Sequence, residues 1–540
     1  MTPASLARHR PIGPAGGQLR AERFQPVTSS VLLAGVLSAA LASVVLLLPP
    51  SGTDLAAQVA RANFWADHGA AAYDVHWYGG VHPAAYSVLA PPVMAAIGVR
   101  LAGALAVVAG AAALAALFAR GRVARPRWGA AGGALVLVAN LVSGRVTFGL
   151  GLAVGLAALL ALPSRSPAPP GRVVLAGLLA AATVLLSPVA GLFVGLAGLA
   201  LAGTHRDRRR DGTVLVLAAA VPLVVVALVF PDGGTMPFAW RVAWPPLLAG
   251  LAVALLLPRT APAVRVGALV YAAGVLAAFL VPSPLGSNAE RLGLLFAGPV
   301  LAAMSRRPRA VLVPVLVLSA YWQATPGRID LRYAGDPAAG AGYSAGLLAQ
   351  LHRLGAESGR VEVVPQRNHW ESAVVGRDFP LARGWERQID LARNPLFYRG
   401  ALTPATYRSW LADRAVGYVA LADAPLDWAA TAEAALVRVD QPWLEPVWND
   451  AHWRLWRVVD PTPLADAPAT VLGVGGDSLS IDVPAPGPVA VRIWWSPWLT
   501  VSGPAGCLRR DGQEVRLDVT EPGVYRIGAG ATPDFGAGCR

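Results

Sequence analysis

The chain has 540 residues, of which 55% are apolar and 14% charged, and its formal net charge at pH 7 is +13. An apolar excess of this size excludes a single soluble globular domain. The positive charge lies mostly in short arginine clusters between apolar runs, which is typical of membrane topology and not of a nucleic-acid-binding surface.

The first 323 residues are dominated by apolar runs. Residues 1–29 contain arginine, proline and glycine and are predicted to form a cytoplasmic tail. The run 30–48 is long enough to span a membrane. A cleaved signal peptide is the alternative, but the tail is long and no small-residue cleavage site follows at once. Further apolar runs follow at 101–118, 129–143, 147–162, 173–187, 188–203, 213–230, 245–257, 266–282, 292–304 and 310–322. The sequence therefore predicts a polytopic α-helical membrane protein with about eleven transmembrane helices in a transmembrane domain, 30–323.

The arginine distribution predicts the orientation of these spans. If the N-terminus is inside, the clusters at 120–127, 206–210 and 306–309 also fall inside. The outer side of the domain then holds only Arg61, Arg100, Arg145, Arg241 and Arg291. This asymmetry obeys the positive-inside rule. We therefore expect a multi-pass plasma-membrane protein whose first loop, 49–100, and C-terminal region both lie on the extracytoplasmic face.

The region after residue 323 has the composition of a water-exposed domain. Alternating helical and strand patterns predict an extracytoplasmic α/β domain at 324–460. Short alternating strands separated by Pro and Gly turns predict a β-sandwich-like domain at 461–540. Cys507 and Cys539 lie in this last segment. In an oxidising compartment they are expected to form a disulfide, with two free thiols as the alternative.

The stretch 52–92 in the first loop concentrates ionisable groups more than any other part of the membrane domain. They are Asp54, Arg61, Asp67, His68, Asp74, His76 and His82. Aromatic residues also cluster near the predicted outer interface, at Tyr73, Trp77, Tyr78, Phe238, Trp240, Trp244, Tyr321 and Trp322. Amphipathic rings favour that depth, so an aromatic belt is the simplest interpretation of most of them.

Two motifs carry a family resemblance. The first is an acid soon after the first span, followed by YD..WYGG..P..YS..APP, and the second is SPLGSNAERLGLLFAGP at 283–299. Together they resemble the GT-C glycosyltransferases over residues 30–322, above all actinobacterial-type members with a C-terminal extracytoplasmic domain. The resemblance implies sugar transfer from a polyprenyl-phosphate donor to a cell-envelope glycan, lipid or protein acceptor on the outer face of the bilayer, with no nucleic-acid partner.

The resemblance also implies catalytic residues. Asp54 matches the acid that the family places after its first span, where a carboxylate acts as general base or metal ligand. Asp74 is the second candidate. The alternative for Asp54 is a helix cap before Leu55, and Asp67 is expected to be solvated. Because the acids stand further apart than in many members, the metal is left unknown and a divalent ion is one option. His68, His76 and His82 could then be ligands, although a lone loop histidine is usually a polar surface residue.

Outer-face arginines beside apolar runs are costly unless they bind something. A lipid-linked phosphate would satisfy Arg291, Arg145 or Arg241 through charge-assisted contacts. The alternatives are an ion pair with a protein acid or a side chain that reaches native headgroups. His76, Tyr78 and Asn288 complete the predicted substrate site. Trp494, Trp495 and Trp498 are expected either to contact glycan or to belong to a core.

The function predicted from these features is membrane glycosyl transfer. The alternatives are a transporter or flippase of envelope lipids, and a non-catalytic envelope assembly protein. Ion-coupled transport requires charge at mid-membrane depth. The predicted spans contain almost none.

Overall fold

A computed structural model describes residues 18–164, 166–534 and 539. Residues 1–17, which form most of the predicted tail, lie outside these ranges. The first helix begins at Gln18, twelve residues before the predicted first span.

The N-terminal part of the described chain is built of helices. Their bounds are α1 Gln18–Leu47, α2 Leu55–His68, α3 Pro83–Tyr86, α4 Ala90–Ile97, α5 Val99–Arg120, α6 Pro126–Val142, α7 Val146–Ala161, α8 Pro170–Leu186, α9 Pro188–Thr204, α10 Arg209–Val229, α11 Trp240–Leu256, α12 Pro262–Leu280, α13 Glu290–Met304 and α14 Arg309–Arg332. Every predicted span coincides with one of these helices.

The helical part contains segments suited to a bilayer. Within the described residues, five helical segments are long and apolar enough to cross a membrane, and they correspond to α1, α5, α10, α12 and α14. Helices α7, α8, α9 and α11 are apolar but shorter. The protein is therefore a polytopic membrane protein. The total of eleven crossings and the orientation of the helices stay predictions.

Small residues let the helices approach closely. The core shared by α1, α5 and α6 contains Ala111, Ala115, Ala130 and Ala134, all nearly fully buried. In a bilayer, van der Waals packing between small side chains replaces most of the hydrophobic driving force for helix association. The helices can therefore hold a fixed frame for the loops above them.

The helical part extends beyond its predicted boundary at 323. Helix α14 continues to Arg332, and Gln323, Gly327 and Asp330 form a buried face at helical spacing past the apolar run. Pro326 lies inside the helix without ending it.

An α/β region follows α14. Its helices are α15 Ala341–Arg353, α16 Glu371–Asp378, α17 Arg387–Arg393, α18 Pro404–Asp413 and α19 Thr431–Val437, and its strands are β1 Arg360–Val363, β2 Val416–Ala422, β3 Leu444–Asn449 and β4 Trp453–Val458. The strand order is β1-β2-β4-β3, with β1 and β2 parallel and the other pairs antiparallel. Helix α18 begins with a capping box at Thr403 and a proline in its first turn.

The last region consists of two packed sheets. Its strands are β5 Thr470–Val474, β6 Ser478–Val483, β7 Gly487–Trp494, β8 Leu499–Ser502, β9 Gly506–Asp511, β10 Glu514–Val519 and β11 Gly523–Ala529. The sheet orders are β7-β10-β9 and β5-β6-β11-β8. Ile481, Val491, Leu517 and Ile527 fill the space between them. Cys507 and Cys539 form a disulfide.

The aromatic residues of the first loop are buried in protein. Tyr73, Trp77 and Tyr78 are at most 4% exposed, and Tyr73 joins the core of the two-sheet region. For these three residues the aromatic-belt interpretation was wrong, because the C-terminal regions cover the loop. Trp240 and Tyr321 are more than half exposed, as expected for residues at a lipid interface.

Trp494 ends β7, and Trp495 and Trp498 follow it. The ring of Trp494 lies 4.3 Å from the Arg393 guanidinium, and Trp495 packs against the sandwich core. Trp498 donates a hydrogen bond to the carbonyl of Val229 at the end of α10 and stacks on Phe230. Their contacts are thus with protein, which fits the core alternative.

Candidate active site

A cavity of about 820 Å³ lies where the helical part meets the α/β region. It is lined by the start of α2, the start of α7, α9, the end of α10, the loops 231–236 and 283–291, residues 385–388 and Trp428. Asp54, Arg145, Asn288 and Arg291 all line it. The structure therefore brings four of the predicted site residues into one space.

Two glycine turns bring the first loop against the start of α7. Gly52 and Gly144 both have positive φ angles, of 95° and 71°. A Cβ atom at Gly52 would lie 2.3 Å from the carbonyl carbon of Ser143, and one at Gly144 would lie 2.6 Å from the amide nitrogen of Leu55. Only glycine permits this approach. The contact places Asp54 and Arg145 beside each other.

Asp54 faces two guanidinium groups. Its Oδ2 atom is 3.5 Å from Arg145 Nε and 3.5 Å from an Arg291 terminal nitrogen. Asp54 occupies the N-cap position of α2, but its side chain accepts no cap hydrogen bond. The helix-cap alternative for the Asp54 carboxylate is therefore not what the structure shows. We call Asp54, Arg145 and Arg291 the arginine end of the cavity.

At least one guanidinium donor of this end has no hydrogen-bond partner in the described residues. Arg145 Nε is buried and makes no hydrogen bond within the described chain. The Arg291 guanidinium lies 5.2 Å from the centre of the Phe148 ring, and its side chain is only 14% exposed. Each guanidinium has five N–H donors. The arginine end can thus accept a further anion.

Residues one and two turns after Asp54 continue the same wall. Gln58 and Arg61 both line the cavity and lie on the same face of α2 as Asp54. Arg61 forms an ion pair of 2.7 Å with Glu386 of the α/β region. Its guanidinium also lies 3.7 Å from the centre of the Tyr86 ring. This pairing ties the α2 wall to the C-terminal wall.

One wall of the cavity is apolar. Val189 and Leu192 of α9 and Leu223 and Val226 of α10 contribute to it, together with Phe148. On the other side of α10, Val224, Val225 and Leu228 are more than half exposed. Helix α10 is also one of the segments able to cross a membrane. The cavity is therefore bounded on this side by a lipid-facing helix.

The α/β region contributes Trp385, Arg387, Gln388 and Trp428 to the lining, and we call this part the tryptophan end. Arg387 donates two hydrogen bonds to the Asp427 carboxylate, at 3.1 and 2.7 Å, and one to the Tyr398 hydroxyl. Burial alone would raise the pKa of Asp427, but the contacts with His369 and Arg387 hold it well below its usual range. Trp385 donates to the carbonyl of Thr53, next to Asp54, at 2.8 Å.

Asp74 and His76 lie apart from the cavity, beneath the C-terminal regions. The Asp74 carboxylate accepts a hydrogen bond from the His76 amide. Burial raises the pKa of Asp74 to about 7, against the smaller effects of that hydrogen bond and of Arg61. His76 Nδ1 lies 3.0 Å from the carbonyl of Gly376. Asp74, the second catalytic candidate, therefore does not line the cavity with Asp54, because the loop between them folds under the α/β region.

Tyr78 and Arg241 also lie elsewhere. Tyr78 is buried, donates to the carbonyl of Gly384 and accepts from the amide of Glu386. Arg241 is exposed at the start of α11. Neither lines the cavity. Tyr78 instead fixes the position of the 384–386 segment that forms part of the cavity wall.

The arginine end does not fit a divalent metal. Within the described residues, no three His, Cys, Asp or Glu side chains converge on the cavity. A divalent cation on Asp54 would also lie beside two guanidinium groups that are 3.5 Å from the same oxygen, and like charges repel strongly at such distances. The charges at this end suit an anion.

Several lining residues were not among the predicted site residues. Gln58 and Arg61 could have been found from their helical spacing after Asp54. Asp232 lies in a Pro-Asp-Gly-Gly turn, and Glu290 directly precedes Arg291. Trp385, Arg387, Gln388 and Trp428 carry no signal that links them to residues more than 300 positions earlier. Their placement depends on how the α/β region docks.

Comparisons with known proteins give limited matches. Residues 466–540 match a family model described as a domain of unknown function, DUF8823. No curated protein matches the chain.

Solved structures give similarities over most of the chain. A mutant form of arabinofuranosyltransferase AftD from Mycobacteria is 17% identical, with a TM-score of 0.39 over 96% of this chain and 42% of that chain. Another AftD structure is 14% identical, with a TM-score of 0.41 over 96% of this chain and 58% of that chain. An Archaeoglobus fulgidus oligosaccharyltransferase is 12% identical, with a TM-score of 0.43 over 73% of this chain and 68% of that chain. The chain thus spans less than two thirds of the AftD chains.

Proposed function

We propose that this chain is a membrane glycosyltransferase that transfers a sugar from a polyprenyl-phosphate donor to an envelope glycan, lipid or protein on the outer face of the bilayer. The observation that carries the proposal is the Asp54 carboxylate between the Arg145 and Arg291 guanidinium groups, in a cavity with one apolar wall.

The arginine pair supports an anionic donor headgroup. Each guanidinium lies 3.5 Å from the Asp54 carboxylate, and Arg145 Nε makes no hydrogen bond to the described residues. A phosphate offers acceptor oxygens that match the planar fork of arginine. We therefore place the donor phosphate at the arginine end.

The apolar wall supports a lipid-linked donor over a soluble sugar nucleotide. Leu223 and Val226 face the cavity from α10, and the exposed face of the same helix is apolar. A prenyl chain bound along α10 would bury its methylene groups against these side chains while its phosphate reached the arginines. A soluble nucleotide would leave this wall exposed to water.

The chemistry assigns one role to each group. The acceptor hydroxyl attacks the anomeric carbon while the bond from that carbon to the phosphate oxygen breaks. The phosphate leaves with the bonding electron pair, and Arg145 and Arg291 stabilise the charge that develops on it. Asp54 accepts the proton of the acceptor hydroxyl as general base. Its negative charge also favours the oxocarbenium-like character of the transition state.

The test is Asp54→Asn in the full chain, reconstituted in lipid and supplied with radiolabelled polyprenyl-phosphate hexoses and pentoses and with envelope acceptors. We expect transfer to fall by about a hundred- to ten-thousandfold, the usual contribution of general-base catalysis. Asp67→Asn is the matched control, because Asp67 lies on the same helix but pairs with Arg377 outside the cavity.

The outcomes separate clearly. Loss of transfer in Asp54→Asn with normal transfer in Asp67→Asn supports the proposal. Wild-type transfer rates in Asp54→Asn would show that this carboxylate has no catalytic role. Absence of transfer from every lipid-linked donor by the wild-type protein would reject the donor class.

A further inference from the structure

We propose that the tryptophan end of the cavity is a subsite for a neutral sugar of the acceptor, with the exposed face of Trp428 as its stacking surface and Gln388 as its polar contact. The inference rests on the proposed function, since it names the chemical class of the acceptor at the same site.

The charges at the tryptophan end are already paired within the protein. The Arg387 guanidinium is held by Asp427 and Tyr398, as described above. Glu386 is paired with Arg61 at 2.7 Å. Asp232, which also lines the cavity, forms an ion pair of 3.6 Å with Arg393. A ligand at this end therefore meets groups whose charges are largely neutralised, which favours a neutral molecule over a phosphate.

Trp428 offers a free aromatic face. Its side chain is 66% exposed although it lines the cavity. The Arg387 guanidinium lies 5.2 Å from its ring centre, and Tyr398 packs edge-on at 5.7 Å. By contrast, Trp385 is stacked on His369 with ring centres 3.4 Å apart. An indole pairs an apolar face with a polar edge, which suits the C–H face of a sugar ring bordered by hydroxyls.

The Trp428 surface is held rigidly before any ligand binds. The Asp427 carboxylate accepts a hydrogen bond from the amide of Ala429 while it binds Arg387. These bonds fix the backbone on both sides of Trp428. A surface ordered in advance loses little conformational entropy on binding. The carboxamide of Gln388 is close to the carbonyl of Pro284, at 3.5 Å, and supplies an uncharged donor and acceptor.

The tryptophan end is also tied to the arginine end. Trp385 donates its indole hydrogen bond to the carbonyl of Thr53, directly before Asp54. The Arg387 guanidinium lies 4.7 Å from the Trp385 ring centre on one side and 5.2 Å from that of Trp428 on the other. An acceptor sugar on Trp428 would thus lie on the wall that positions the proposed general base.

The experiment compares Trp428→Ala and Trp428→Phe with Trp240→Ala in the full chain in nanodiscs. Trp240 is a matched control, because it is 54% exposed at the start of α11 and does not line the cavity. Binding is measured against an array of neutral pentose and hexose oligosaccharides and their phosphorylated forms. Kinetics are measured with the lipid-linked donor and the best neutral oligosaccharide as acceptor.

We expect the wild-type protein and Trp240→Ala to bind a neutral oligosaccharide. Trp428→Ala should raise the acceptor KM at least about tenfold, the effect of about 1.4 kcal/mol, while the donor KM is unchanged. Trp428→Phe should recover part of the loss. The melting temperature of each variant is measured, and Trp428→Phe provides the test if the alanine variant does not fold.

Three outcomes would overturn the inference. The first is that Trp428→Ala binds the neutral oligosaccharide as tightly as the wild-type protein does. The second is that the wild-type protein binds only the phosphorylated oligosaccharides. The third is that Trp428→Ala and Trp240→Ala change the acceptor KM equally, which would indicate contact with the bilayer. Failure of the inference is distinguishable from failure of the proposed function. If only the inference fails, Asp54→Asn still lowers sugar transfer. If the proposed function fails, Asp54→Asn leaves sugar transfer unchanged.

Discussion

The two ends of the cavity each contain arginine near carboxylate, yet the protein uses the pairs differently. At the tryptophan end, Arg387 and Asp427 form two short hydrogen bonds, and the neighbouring Arg61 pairs with Glu386 at 2.7 Å. At the arginine end, Arg145 and Arg291 share one carboxylate at 3.5 Å. The close pairs at the tryptophan end present an almost neutral surface to the proposed acceptor sugar. The looser contacts at the arginine end leave Arg145 Nε without a hydrogen bond in the described residues and available to the proposed donor phosphate.

Substitutions at the arginine end should lower sugar transfer more than substitutions at the tryptophan end. We expect Arg145→Gln and Arg291→Gln each to lower kcat/KM for the lipid-linked donor by about ten- to a hundredfold. Loss of a hydrogen bond to a charged group costs about 1.5–3 kcal/mol. The acceptor KM should stay near the wild-type value. The measurement is steady-state kinetics with each substrate varied in turn.

Arg241→Gln is the control for these two variants. Arg241 lies on the predicted outer side but is exposed and does not line the cavity. Its transfer rate should match the wild-type protein. An equal loss in Arg241→Gln would mean that the response follows surface charge in general and not the two guanidinium groups beside Asp54.

Breaking the satisfied pair should instead affect stability first. Asp427→Asn leaves the Arg387 guanidinium without its carboxylate, and removing one partner of a buried ion pair costs about 3–5 kcal/mol in the free energy of unfolding. The acceptor KM should rise as Trp428 loses its anchor, with the donor KM unchanged. Thermal unfolding and acceptor-dependent kinetics provide the measurements.

The exposed pair of Arg377 and Asp67 offers a comparison within the same chain. Two hydrogen bonds of 3.0 Å join these side chains, which are 52% and 35% exposed. Asp67→Asn should cost less than about 1 kcal/mol, because water screens the pair. If Asp67→Asn and Asp427→Asn lowered the free energy of unfolding equally, the buried ion pair would contribute no more to stability than the exposed one, which would contradict this prediction.

Asp74 should give the smallest effect on transfer, because it lies outside both ends. Its pKa is raised from 3.8 to about 7 by burial, so between these pH values the folded state keeps a proton that the unfolded state has lost. Stability therefore falls as pH rises through this window, by up to about 4 kcal/mol at about 1.36 kcal/mol per pH unit.

Asp74→Asn can keep the bond from the His76 amide and cannot ionise. We expect its free energy of unfolding to be less sensitive to pH between about 4 and 7, with transfer within about twofold of wild type, since no proton-transfer contribution is lost. Thermal unfolding across this pH range and a transfer assay provide the measurements. A loss of transfer as large as that of Asp54→Asn would return Asp74 to the catalytic site.

The sequence by itself determined the helical membrane part, the change to soluble composition after it and the candidates Asp54, Arg145, Asn288 and Arg291. It did so because apolar length, arginine asymmetry and the order of motifs are properties of local segments. The sequence also shows directly that Asp54 follows the first apolar run. It does not identify the side chains that contact Asp54.

Only the tertiary structure decided which of these residues meet. The close contact of Gly52 with Ser143 brings Asp54 to Arg145 across 91 residues of chain, and docking of the α/β region brings Trp428 to the same cavity. Packing of the α/β and two-sheet regions over the first loop buries Tyr73, Asp74 and Tyr78, which the local pattern assigned to a membrane interface or a catalytic site. Such contacts depend on packing between distant segments, and local hydrophobicity and spacing carry no information about them.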